Sequence, residues 1–184
     1  MGRELELKFK ADPEQFRKIR EDQGPFREIV METTYYDTPG RELSARRETL
    51  RRRYENGRAV YALKTHLPDG SHGEWETEAA SFEEALAVLR AMEAPGLPEG
   101  PLVPICGAAF TRSCLLLEVP GGKVELALDE GILTGSGKEL PLREVELELK
   151  EGDDAVLLAF GPRFAARYGL EKEPLSKFAR AMAL

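Results

Sequence analysis

Residues 3–10 alternate strictly, with Leu5, Leu7 and Phe9 on one side and Glu4, Glu6, Lys8 and Lys10 on the other, the period-two pattern of a strand. Asp12-Pro13 opens a helix expected to run to about Gly24, with Asp12 as N-cap and Pro13 at the first helical position. A strand rich in β-branched and aromatic residues is predicted from about Phe26 to Asp37, and Thr38-Pro39-Gly40 breaks it. A short helical segment fits 41–46. Residues 48–54 and 58–65 then read as a hairpin around Asn56-Gly57. Pro68-Asp69-Gly70 makes the next turn, and 74–80 alternates as another strand. The capping box Ser81-Phe82-Glu83-Glu84 opens a helix to about Ala94, and 95–104 is a Pro/Gly-rich connection. In the second half, strands over 109–119 and 123–133 flank Pro120-Gly121-Gly122, and a further strand covers 140–151. A helix over 153–168 is expected to break or kink at Pro162, and a short helix covers 175–183. Around eight antiparallel strands with a few helices predict an α+β fold: a closed eight-stranded antiparallel β-barrel, or tunnel, with helices packed outside.

The charges make this pattern unusual. Glu4, Glu6 and Lys8 share a face; so do Arg51 and Arg53, with Arg52 opposite and Lys64 on the partner strand. Glu74, Glu76 and Glu78 share a face, as do Glu144, Glu146, Glu148 and Lys150, whose opposite face is Val145, Leu147 and Leu149. Arg112 stands among apolar residues, where an unpaired charge would be costly, and Asp129 follows Val124, Leu126 and Leu128. If the helices over 12–24, 81–94 and 153–168 cover the apolar faces, the charged faces converge on a wet lumen. Carboxylates at two-residue spacing on facing strands are hard oxygen ligands suited to Mg²⁺ or Mn²⁺. Arg and Lys give charge-assisted hydrogen bonds to phosphate oxygens. A polyphosphate chain uses both. No P-loop, G-x-S-x-G or H-E-x-x-H motif offers competing chemistry.

Composition narrows the setting. The 184 residues fit a single domain with a useful core, and the 32% charged content exceeds the usual quarter. A net charge of -7 argues against a duplex nucleic-acid surface, although bound divalent cations can invert the local sign of a site. Cys106 and Cys114 form no C-x-x-C pair, which points to buried packing in a reducing compartment; His66 and His72 are too isolated for a zinc site. The first residues alternate charge at once and lack an apolar h-region, and no segment approaches a membrane span. A cytoplasmic protein without membrane contact, monomeric or homodimeric, is the expectation.

Glu4-Leu5-Glu6-Leu7-Lys8 resembles the E-x-E-x-K signature of the CYTH superfamily, the triphosphate tunnel metalloenzymes. The resemblance continues in order along the whole chain. Its further elements are Tyr35-Tyr36-Asp37-Thr38, Leu50-Arg51-Arg52-Arg53, Ala62-Leu63-Lys64, Glu74-Trp75-Glu76, Arg112, Leu128-Asp129-Glu130-Gly131, Glu146-Leu147-Glu148 and Ser176-Lys177-Phe178. A lone E-x-E-x-K would be weak; eight further matches in family order are specific. The resemblance implies an eight-stranded tunnel, treated as one domain over 1–184, that cleaves a triphosphate-containing small molecule with Mg²⁺ or Mn²⁺. By the same resemblance Glu4, Glu6, Glu146 and Glu148 hold metal, with Asp129 and Glu76 contributing. Lys8, Arg51, Arg53, Lys64, Arg112 and Lys177 grip phosphate, and Glu4, Glu6, Lys8, Lys64 and Asp129 form the catalytic set. Glu144 lies outside the E-x-E match and reads as a rim residue, while Tyr61 and Trp75 read as core or cover. Where the family often has an Arg two residues before E-x-E, this chain has His72. Thiamine-triphosphate-specific members carry a Trp just before L-R-x-R; Thr49 stands there, so inorganic triphosphate leads. A class IV adenylate cyclase, a thiamine triphosphatase, and a polyphosphate- or nucleotide-binding module without turnover remain the alternatives.

Overall fold

Alternation dominates the observed chain as it does the sequence. The computed structural model describes residues 5–66 and 72–184, with only the backbone of His66 and His72. Glu4, the 68–70 turn and both imidazoles therefore lie outside the described residues. The strands are β1 (Glu6–Lys10), β2 (Arg27–Asp37), β3 (Thr49–Glu55), β4 (Arg58–His66), β5 (His72–Glu78), β6 (Val103–Val119), β7 (Gly122–Gly135), β8 (Lys138–Glu151) and β9 (Glu171–Lys172). Helices α1 (Pro13–Gln23), α2 (Glu42–Ala45), α3 (Phe82–Ala91), α4 (Asp154–Tyr168) and α5 (Lys177–Met182) interrupt them. Local chemistry accounts for several boundaries. The Asp12 side chain accepts from Gln15 N at 2.8 Å, and the Gln15 amide oxygen accepts from Asp12 N at 2.8 Å, a reciprocal cap on α1. Asn56 and Gly57 both take positive φ, 49° and 86°, as a two-residue hairpin turn between β3 and β4 requires.

All nine strands form one antiparallel sheet in the order β5-β4-β3-β2-β6-β7-β8-β1-β9. The α+β class stands, but among the described residues the hydrogen-bonded ladder has nine strands, one of them two residues long, and does not close between β5 and β9. Two further expectations are corrected. Helix α4 runs unbroken through Pro162; the carbonyl this proline leaves free is that of Leu158, whose side chain is exposed, so water can satisfy it. Strand β6 starts at Val103, six residues before the predicted 109, because it pairs with β2 through a register shift at Tyr35/Tyr36.

One face of the sheet is covered in two places. Phe16 and Ile19 of α1 and Leu157, Phe164 and Tyr168 of α4 pack on Phe9, Val124, Leu126, Leu128, Val145 and Leu147. Leu43 of α2 and Leu89 of α3 pack on Leu50 and Leu63, with Tyr36 and Trp75 alongside; Tyr61 is also buried. These two layers use the apolar sides of the alternating strands and turn their charged sides to the opposite face. That opposite face holds the remaining helix: Phe178, Ala181 and Met182 of α5 cover Met31, Tyr35, Cys106, Ala108, Phe110, Leu133 and Leu142. The expectation that every helix lies outside fails here, because half of the charge-bearing face is itself apolar and needs cover. Cys106 and Cys114 are buried and unbridged, as expected.

Candidate active site

Strand register decides which charged side chains share a surface. Across β2 and β3, Thr33 opposes Arg53 and Tyr35 opposes Arg51; across β3 and β4, Thr49 opposes Lys64; across β4 and β5, Lys64 opposes Glu74 and Ala62 opposes Glu76. On the other side of β2, Ile29 opposes Arg112, Arg112 opposes Asp129, and Asp129 opposes Glu144. Glu146 and Glu148 oppose Lys8 and Glu6 of β1. Every site residue read from the sequence and lying among the described residues is thus on one face, the face that α5 caps. Arg52, one position out of phase, lies on the other side, between the rings of Tyr54 at 4.9 Å and Tyr36 at 5.9 Å.

The sheet curls around this face. Lys64 on β4 lowers the proton affinity of Glu6 on β1 although five strands separate them in the ladder. In a flat sheet six strand spacings would place them about 29 Å apart, beyond the reach of a screened interaction. The charges of both sheet ends therefore face a common space. Glu6 keeps 43% of its side chain exposed, yet burial is the leading cause that raises its pKa, followed by the nearby Glu146, with Lys8, Lys177 and Lys64 opposing. A carboxylate both wet and walled in fits a solvent-filled channel.

Where α5 packs on the sheet the charges are tightly paired. Arg112 donates from Nε to Asp129 Oδ1 at 2.8 Å and from Nη2 to Asp129 Oδ2 at 2.7 Å, and also bonds Glu146. The Lys177 ammonium of α5 lies 2.5 Å from Glu144, 2.6 Å from Glu146 and 2.8 Å from Asp129. Burial alone would lower the pKa values of Arg112 and Lys177; these carboxylates hold both well above their ordinary values. Glu144 is not at a rim. It is fully buried, gripped by Lys177 and Arg180, and burial pushes it up to about 7, while Lys177 and Arg112 hold Glu146 low against its own burial. The sequence reading missed Glu144 and Arg180 because their partners lie 33 and 36 residues apart in the chain.

Toward β3–β5 the pairing loosens. Glu74, absent from the expected ligand set, lies 3.1 Å from both Arg51 and Lys64. Glu76 is raised by burial and by Glu74, with Arg51 opposing. Among the described residues Arg53 bonds the Thr33 hydroxyl at 3.3 Å and lies 3.8 Å from Glu55; burial, Arg51 and Arg112 all lower its pKa. Its contacts among the described residues leave much of the guanidinium's hydrogen-bonding capacity unused.

A divalent metal fits some of these carboxylates better than others. Asp129, Glu144 and Glu146 bring oxygens within 4.8 Å of one another, but Lys177, Arg112 and Arg180 already neutralise them. Glu6 and Glu148 are cross-strand neighbours with weaker cover, Lys8 at 3.9 Å from the first and Lys150 at 2.7 Å from the second. Glu146 also repels Glu6, so these three carboxylates offer hard oxygen donors on neighbouring strands, of the kind a divalent cation takes.

Comparison with known proteins agrees with this geometry. Residues 2–182 match the CYTH domain. The chain is 30% identical over 171 residues to the inorganic triphosphatase of Haemophilus influenzae, an alignment covering 87% of this chain and 49% of that protein. It thus spans about half the length of the curated relative it matches. Among solved structures, the fold resembles HpAC1 from Hippeastrum, assigned as an adenylyl cyclase and described as having a dominant triphosphatase activity. The TM-score is 0.70 at 22% identity, over 96% of this chain and 94% of that one. It also resembles the PH1819 protein of Pyrococcus horikoshii OT3, with TM-score 0.65 at 24% identity over 97% of each chain.

Proposed function

The chain belongs to the CYTH family, and from that premise we propose that it is a divalent-metal-dependent triphosphatase that cleaves inorganic triphosphate to pyrophosphate and phosphate. The observation that carries this reading is the convergence of Arg51, Arg53, Lys64, Arg112 and Lys177 with Glu6, Glu146 and Glu148 on one curled face. The relative from Haemophilus influenzae supports the same activity.

In this reading Arg53 and Arg51 hold the phosphate chain from one wall and Arg112 and Lys177 from the other, neutralising charge that builds on the phosphoryl oxygens in the transition state. Lys177 and Arg112 exchange part of their contact with Asp129 and Glu146 for phosphate oxygens. Glu6, Glu146 and Glu148, with Glu4 and Glu76, would hold Mg²⁺ or Mn²⁺. When bound, such an ion polarises the scissile phosphoryl group and lowers the pKa of water. Water adds to the terminal phosphorus and gives up its proton to solvent, the bond to the bridging oxygen breaks, and pyrophosphate leaves as the anion, so no covalent nucleophile is required. Lys8 and Lys64, which both act on Glu6, would offset the negative charge that develops on the attacking oxygen and on the leaving group.

Inorganic triphosphate is favoured over organic triphosphates by the walls of β3, β4 and β5. The register positions there that share a face with Arg51 are Thr49, Arg53, Glu55, Arg58, Val60, Ala62, Lys64, His66, His72, Glu74, Glu76 and Glu78. None is Trp, Tyr or Phe; Tyr36, Tyr54, Tyr61 and Trp75 all sit on the opposite face. A base or thiazole would find no Trp, Tyr or Phe to stack on along that wall.

The test is a phosphate-release screen of triphosphate, ATP, thiamine triphosphate and long-chain polyphosphate with Mg²⁺, Mn²⁺ or EDTA. Release should be fastest with triphosphate, absent in EDTA and abolished by Glu6→Gln. Turnover that persists in EDTA defeats the mechanism. Cyclic AMP from ATP reassigns the reaction, and tight binding without turnover makes the chain a binding module.

A further inference from the structure

We propose that Glu144 and Arg180 are positioning residues which, with Glu173, lock α5 in place and aim the Lys177 ammonium into the channel. This rests on the triphosphatase reading above, since it assigns a role in how that substrate is held.

The problem these residues solve is physical. Helix α5 has six residues, too few to persist through its own hydrogen bonds. It nonetheless carries a lysine, whose flexible stem and point charge do not define a direction. The structure fixes both through a continuous chain of polar contacts. The Lys8 carbonyl of β1 accepts from Glu173 N at 2.9 Å. Glu173 Oε1 accepts from Leu175 N at 3.0 Å, just ahead of α5, and Glu173 Oε2 meets Arg180 Nη1 at 3.4 Å. The other branch of Arg180, Nη2, bonds Glu144 Oε2, and Glu144 Oε1 accepts from Lys177 Nζ at 2.5 Å. The path begins at a phosphate-facing strand and ends at the lysine.

Glu144 differs from its neighbours in what else it touches. Asp129 and Glu146 each bind both Lys177 and Arg112, so an incoming anion can take over part of either contact. Glu144 contacts Lys177 and Arg180 and is fully buried. Asp129 is equally buried, so the distinction lies in the partners: Glu144 pairs with Lys177 and Arg180 and not with Arg112, and a buried carboxylate is retained only where its partners stay with it. When Lys177 turns part of its hydrogen-bonding capacity to phosphate, Glu144 is the contact that remains. Arg180, held from two sides by Glu144 and Glu173, keeps that carboxylate from following the lysine.

The test is a double-mutant cycle on the full chain, measured as kinetics on triphosphate with Mg²⁺ and as calorimetric binding of triphosphate without metal. Arg180→Met should raise KM on the order of tenfold or more, with kcat changed less, as expected when a binding group is misplaced. In a Lys177→Met background the same substitution should change KM and Kd less than twofold, since its route of action has been removed. Glu173→Gln, a milder change, should show a smaller rise that is likewise lost in the Lys177→Met background. Arg180→Lys should recover part of the loss. Thermal melts report which variants fold, and where Arg180→Met does not, Glu173→Gln carries the cycle. Effects of Arg180 or Glu173 that multiply with Lys177→Met, or folded variants with wild-type KM and Kd, overturn the proposal. A wild-type chain that binds triphosphate without cleaving it overturns the triphosphatase reading and leaves the cycle to be judged on Kd. One that neither binds nor cleaves it overturns both.

Discussion

Two arginines on the same face should respond to removal in opposite ways. Arg112 is neutralised by Asp129 and Glu146, whereas Arg53 has a hydroxyl at 3.3 Å and a carboxylate no nearer than 3.8 Å. Taking one partner from a buried ion pair costs about 3–5 kcal/mol. Lys177 stays on both carboxylates after Arg112→Met, so the lower end, about 3 kcal/mol, applies. In a chain of this size that corresponds to a fall in Tm of about 6–12 °C. Arg53→Met removes a guanidinium that is desolvated and repelled by Arg51 and Arg112. Its Tm should stay within about 2 °C of wild type or rise, since no strong contact is lost. Binding should suffer instead: a charge-assisted hydrogen bond to phosphate is worth about 1.5–3 kcal/mol, or about ten- to a hundredfold in KM. Differential scanning fluorimetry and phosphate-release kinetics measure the two quantities on the same preparations. If Arg53→Met destabilises as much as Arg112→Met, or leaves KM unchanged, the reading of Arg53 as an anion receptor is wrong.

Other expectations concern the scaffold and the metal. Asp37, fully buried, accepts from Thr38 N, Leu43 N, Ser44 N and the Ser44 hydroxyl; these bonds outweigh burial and hold its pKa below the ordinary 3.8. Asp37→Asn replaces an acceptor with a donor facing Ser44 and should cost about 1–3 kcal/mol by urea denaturation. Because the folded pKa is lowered, the wild-type advantage over Asp37→Asn should be full above the ordinary value and fade as pH falls through the folded one; an advantage that grows in acid contradicts this. Leu147→Ala, beneath α4 with no exposure, should lose about 2–5 kcal/mol in the same assay without altering KM. Glu148→Gln should weaken Mn²⁺ binding, followed by electron paramagnetic resonance, on the order of tenfold or more, and unchanged affinity would remove Glu148 from the metal set.

Much of the fold was legible because it is local. The alternation of Leu5, Leu7 and Phe9 against Glu6 and Lys8, the Asp12-Pro13 cap and the Asn56-Gly57 turn each act within a few residues, and the structure keeps them. What escaped depends on distant partners. Residues 103–108 contain Pro104, Gly107 and Ala108, a poor strand by propensity, and are strand because β2 pairs with them. Strand β9 is two residues that exist through β1. Helix α5 reads as a generic amphipathic cover, and nothing in its own residues says which face of the sheet it covers.

The acidic residues make the same point about chemistry. Spacing along a strand identified the face on which Glu144, Glu146 and Glu148 lie, but it ranks them alike. The structure separates them by their counter-charges. Glu144 is committed to Lys177 and Arg180, and Glu146 is shared between Lys177, Arg112 and the channel. Glu148 is covered by Lys150, itself 39% exposed and also within 3.8 Å of Glu125. A divalent ion entering from solvent must displace whatever cation is already present, and a buried, multiply bonded ammonium yields far less readily than an exposed one. Metal affinity should therefore rise along β8 from Glu144 to Glu148 even though the carboxylates are chemically identical. In the proposed function that gradient would put the cation toward Glu148 and leave Lys177 and Arg112 for the anion.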